Sequence, residues 1–139
     1  VVEMLLVLGI FALAATWRFT PPPRALSAAR PHPVSIHLHG DKAMIDLSLR
    51  PQGANRWDAR LSVLSADSSA LAAREVALEL SRPGAGIEAL QKLAVLQPDG
   101  VWRIEPFALP AVGRWHVRVR VLISDFEQTA LEADGDIGP

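Results

Sequence analysis

The sequence predicts a mainly β protein: an immunoglobulin-like antiparallel β-sandwich of seven or eight strands, preceded by one transmembrane helix. Three observations carry that prediction. From Val34 onward, short runs alternate apolar and polar residues, the period of a half-buried strand, and turn signals interrupt them every ~8–12 residues, as in sandwiches. Eleven prolines and nine glycines are scattered between these runs, which favours short strands over a helical bundle. Ahead of them, Val1 to Trp17 is apolar apart from Glu3.

The chain has 139 residues, enough for one domain with a sizeable core plus an additional segment. A net charge of -1 and the lack of any basic block give no reason to expect nucleic acid. Cysteine is absent, which excludes disulfides, thiolate zinc sites and cysteine nucleophiles but leaves the compartment undecided.

Residues 1–19 are expected to form a terminal transmembrane helix of a multi-span protein. The stretch is slightly shorter than the ~20 apolar residues that cross a bilayer. Trp17 and Phe19 beside Arg18 make an interfacial anchor, and Glu3 is costly at membrane depth unless it faces other helices or water. A basic leader and a small-residue cleavage site, which would mark a signal peptide, are missing. The first residue is not Met, so we expect the chain to be cut from a longer one. Residues 20–33 read as a Pro-rich linker. Thr20-Pro-Pro-Pro23 ends any helix, and Pro31-His32-Pro33 makes the far end semi-extended.

Strands follow in order from Val34. Val34, Ile36 and Leu38 alternate with Ser35, His37 and His39; after Gly40-Asp41, Ala43, Ile45, Leu47 and Leu49 alternate with Met44, Asp46 and Ser48. Trp57 to Val63 and Val76 to Leu80 repeat the pattern. A short segment at 87–92 leads into 93–96; Val101 to Phe107 is another strand. Trp115, Val117, Val119 and Val121 alternate with Arg114, His116, Arg118 and Arg120, the cleanest amphipathic strand, and 126–137 supplies the last. Residues 34–139 thus form the sandwich domain. Trp57, Trp102 and Trp115 are its expected core aromatics.

The first hairpin carries the candidate chemistry. With Gly40-Asp41 as a two-residue type II′ turn, His39 would face Lys42, His37 would face Met44, and Ile36 would face Ile45. Apolar side chains would share one face, and the other would collect His37, His39 and Met44. A His-x-His pair on one strand face puts its Cα atoms about 6.5–7 Å apart. Two imidazoles with a thioether suit copper better than zinc or calcium, and Asp46, farther along that face, could orient a histidine. The bland alternative makes the histidines ordinary polar-face residues and Met44 a gap filler. His32 is the weaker candidate. His116, among arginines, is expected to be solvated.

Catalytic patterns are missing. There is no Gly-x-Ser-x-Gly elbow or zincin motif and no phosphate-binding glycine loop. Asp134-Gly-Asp136 lacks the remaining ligands of a calcium loop. We expect no enzyme.

The order of segments resembles a known family. A helix carrying Glu3 and ending in Thr20-Pro-Pro is similar to the last transmembrane helix of the copper resistance protein D (CopD) membrane domain. His37-Leu-His-Gly-Asp-Lys-Ala-Met44, Glu75-Val-Ala-Leu-Glu-Leu-Ser81, Gly86-Ile-Glu88, Gly100-Val-Trp102, Pro110-Ala-Val-Gly-Arg-Trp115 and Leu122-Ile-Ser-Asp-Phe-Glu127 resemble the YtkA-like β-sandwich appended to some members. The resemblance implies a multi-span cell-membrane protein of copper uptake or tolerance, often with a copper-binding CopC-like domain fused at its other end. It also implies that the sandwich is extracytoplasmic (periplasmic), although Arg18, Arg24 and Arg30 after the helix are of the kind that stay cytoplasmic. Two expectations follow. The first is an accessory domain that binds a copper ion through His37, His39 and Met44. The second is a metal-free structural or interaction module that packs on the membrane domain or a partner subunit.

Overall fold

The computed structural model describes residues 1–17, 32–53 and 55–138. The contacts divide the chain into two units, Val1–Pro31 and His32–Gly138. Most of the expected linker, and Arg18 and Phe19 of the expected anchor, lie outside the described residues.

In the first unit, α1 spans Val2–Trp17, with Glu3 in its first turn. Its described side chains are exposed on every side, and apolar residues occupy every face, so no amphipathic stripe exists. Sixteen residues at ~1.5 Å each make about 24 Å. Among the described residues, no helix is long and apolar enough to cross a membrane.

The second unit is a sandwich of two antiparallel sheets. Its strands are β1 (Val34–His39), β2 (Ala43–Pro51), β3 (Arg56–Ser65), β4 (Glu75–Arg82), β5 (Ile87–Leu93), β6 (Val95–Leu96), β7 (Trp102–Ala108), β8 (Gly113–Ser124) and β9 (Glu127–Ile137). One sheet has the order β1-β2-β3-β7-β6 and the other β5-β4-β8-β9. The described residues thus hold nine strands rather than seven or eight. The difference lies at 87–96, where apolar residues fall at 87, 89, 90 and 93–96, a spacing that fits no strand alternation. The chain there leaves one sheet and enters the other at Ala94, which is buried and donates its N–H to the Val76 carbonyl.

Alternation in sequence becomes alternation in burial. In β2 the apolar residues Ala43, Ile45, Leu47 and Leu49 are all buried, while Met44 and Ser48 are half-buried and Asp46 exposed. Trp57, Trp102 and Trp115 all enter the core. Trp115 is fully enclosed and satisfies its indole N–H on the Ala111 carbonyl at 3.1 Å, as a buried Trp requires.

The sandwich closes along one side, where β1 meets β9. Glycine makes that approach possible. A Cβ on Gly135 would stand 2.5 Å from Ile36 Cδ1, and one on Gly40 would stand 3.2 Å from Leu131 Cδ2. Gly40 serves this packing and not the turn, since its φ is not positive.

Candidate metal site on the first hairpin

The β1–β2 register differs from the expected one. His39 pairs with Met44, Leu38 with Ile45, His37 with Asp46 and Ile36 with Leu47. The turn is centred on Asp41-Lys42, closed by the Gly40 N–H on the Ala43 carbonyl at 2.9 Å. Met44 therefore stands across from His39, not His37. The cause is the period of the strand: a two-residue change of register leaves every side chain on its own face, so the apolar pattern cannot detect it. Only the turn distinguishes the registers, and Gly40 is not used as a positive-φ turn residue.

The new register changes what each histidine touches. The Gly40–Ala43 bond makes His39–Met44 and His37–Asp46 non-hydrogen-bonded pairs, the positions where cross-strand side chains come closest. His37 Nδ1 lies 2.5 Å from Asp46 Oδ1. A carboxylate accepts only, so Nδ1 is the donor of this pair, and in the neutral ring Nε2 keeps the free lone pair. That is how a carboxylate holds a metal-binding imidazole in one tautomer. Both side chains are more than half exposed, so the pair itself contributes little stability.

His37, His39 and Met44 thus share the outer face of the five-stranded sheet, with the histidines exposed and Met44 half-buried against Leu64 of β3. Two imidazoles and a thioether form a donor set that fits copper and leaves open positions. Among the described residues, no group of three or more His, Asp or Glu side chains is assembled for a metal ion. His32, the weaker candidate, is exposed ahead of β1.

Beside the histidines the same face dips into an open depression of about 320 Å³, lined by Ser35, His37, Asp46, Ser48, Arg60 and Arg103 among others. Arg60 and Arg103 belong to β3 and β7 and stand directly opposite each other. Sequence reasoning passed over both, because they are 43 residues apart in the chain and only the sheet order joins them.

His116 is not merely solvated. On the four-stranded sheet its Nδ1 lies 2.9 Å from Asp134 and its Nε2 3.8 Å from Glu132. The same carboxylates pair with Arg114 and Arg118. Two of the three arginines that made this strand look cationic, Arg114 and Arg118, are answered by β9, whose register with β8 the sequence does not show. The His116 hydrogen bond, then its charge and that of Arg114, hold the Asp134 carboxyl below the usual carboxylate range.

No family model matches the chain, and no curated protein does. Among solved structures, the sandwich is similar to FetP of uropathogenic Escherichia coli strain F11, a protein recombinantly expressed in the periplasm of E. coli BL21(DE3). The TM-score is 0.51 at 9% identity, over 80% of this chain and 99% of that one. At that identity the likeness is one of fold alone.

Proposed function

We propose that this chain belongs to a copper-transport or copper-resistance membrane protein of the CopD type. Its immunoglobulin-like sandwich is the extracytoplasmic accessory domain. The ordered motifs from His37 to Glu127 support the family, and the fold shared with FetP supports a β-sandwich suited to that role. The immunoglobulin-like reading is supported by three changes of sheet, at β3 to β4, β5 to β6 and β7 to β8. The apolarity of α1 on all its faces supports a place among membrane helices or lipid.

In this reading the domain captures copper on its first hairpin through His37 Nε2, His39 and the Met44 sulfur. Asp46 orients His37 through Nδ1. The observation that carries the proposal is the close cross-strand pairing of His39 with Met44, two residues from a histidine whose other nitrogen is already held by a carboxylate. A bound ion brings Lewis-acid and redox character. The chain supplies binding and orientation only, and no catalytic step is assigned to it.

The test is a Cu(I) and Cu(II) titration of the full chain, repeated with His37→Ala/His39→Ala and with Met44→Leu. The double variant should abolish binding to both ions, and Met44→Leu should weaken Cu(I) more than Cu(II), because thioether prefers the softer ion. Unchanged affinity in the double variant would sink the site. No affinity in the native chain would favour the metal-free module packing on a membrane domain or partner subunit.

A further inference from the structure

The sandwich treats its sheet edges unequally. β1 and β9 close on each other. β6 is two residues long, and β7 beyond it carries Pro106, which has no N–H to offer a neighbouring strand. Among the described residues, β5 is the long bare edge, seven residues with β4 on one side only. Because Ala94 donates to Val76, Leu78–Lys92 and Leu80–Leu90 are the hydrogen-bonded pairs of the β4–β5 ladder. Gln91 and Leu93 then direct their N–H and C=O groups to the open side. Such a row of unpaired backbone groups is a template for one more strand.

The sequence of β5 is complementary to itself. Laid antiparallel on a second copy about Leu90, Glu88 meets Lys92, Ile87 meets Leu93, Ala89 meets Gln91, and Leu90 meets Leu90. Opposite charges face each other twice by symmetry, and Leu93, 65% exposed in the single chain, gains an apolar partner. Slipping the strands by two residues in either direction sets Glu88 or Lys92 against Leu90, so one register is selected. The bulge is in β5 itself, at its Glu88 end, where Glu88 and Ala89 oppose Ser81 alone, and it leaves Gln91 and Leu93 on the edge. We infer that the β domain forms a two-fold dimer by antiparallel pairing of β5 with β5 of a second copy. The two four-stranded sheets join into one of eight. This inference is independent of the copper reading.

Sedimentation equilibrium of the full chain tests it with Glu88→Lys, Lys92→Glu and the double exchange. Each single reversal sets like charges opposite at two symmetry-related places and should weaken association about tenfold. The double exchange restores it. The chain has no cysteine, so Leu90→Cys puts one thiol beside its twin, at the ~4.5 Å Cα spacing of a non-hydrogen-bonded pair, within disulfide reach. Oxidation should yield a covalent dimer from Leu90→Cys and none from Phe126→Cys, which is fully exposed elsewhere. A chain that stays monomeric at every concentration overturns the inference. So does a dimer that is indifferent to the single reversals, as one held by the apolar helix would be.

Discussion

The contact that seats the candidate hairpin on β9 can be tested by adding one carbon atom. Gly135→Ala places a methyl 2.5 Å from Ile36 Cδ1 and 3.1 Å from its Cγ1, against the 3.5–4.0 Å at which carbons pack comfortably. Ile36 is nearly buried, so it must leave its rotamer or push β1 outward. Overpacking of this kind costs about 1–3 kcal/mol, and replacing a strand glycine recovers about 0.5–1 kcal/mol, leaving a net loss of roughly 0.5–2 kcal/mol. Ile36→Val deletes Cδ1 itself, at about 0.5–1.5 kcal/mol on its own. In that background Gly135→Ala meets only Cγ1 and should be near neutral, so the pair couples by about 0.5–2 kcal/mol. Urea unfolding of the chain followed by tryptophan fluorescence reads the cycle, since Trp57, Trp102 and Trp115 are all buried. With a slope of about 1–1.5 kcal/mol per molar urea, the single variant lowers the midpoint by roughly 0.3–2 M. Strict additivity of the two changes would refute the close approach of β9 to β1.

Trp115→Ala should cost about 3–5 kcal/mol, as expected for a fully buried aromatic. Trp115→Phe should cost less, since it keeps most of the bulk and loses mainly the indole bond to Ala111; equal midpoints for the two would contradict the packing. Acid titration of stability should show Asp134 at work. Its folded carboxyl is depressed by His116, so its contribution is complete above the unfolded value near 3.8 and disappears as pH falls through the lower folded value. His116→Ala should flatten that part of the profile, and an unaltered profile would remove His116 as the cause. Asp67 acts in the same direction between 3.8 and about 2, held down by hydrogen bonds from the Ser65 and Ser69 hydroxyls, and Asp67→Asn should remove that portion. Asp46→Asn should lower copper affinity about 10–100-fold by freeing the ring of His37; no change in the titration would mean that the pair does not orient the ligand.

Reading the candidate site from sequence succeeded for faces and failed for partners. That His37, His39 and Met44 share an outward face follows from alternation alone, and so does the burial of Leu47, Leu61 and Val119. Which of them stand opposite each other does not follow, because registers two residues apart bury the same side chains. His116 shows the same limit: its own strand offers arginines, and only β9 reveals the carboxylates.

The amino-acid sequence by itself determined the alternating faces, the three core tryptophans and the wholly apolar character of α1, because each depends on side-chain chemistry and the local period of the backbone. The tertiary structure alone decided the two-residue register of the first hairpin, the sheet change at Ala94 and the glycine contacts between β1 and β9. These depend on which distant strands lie side by side, and a period of two cannot encode that.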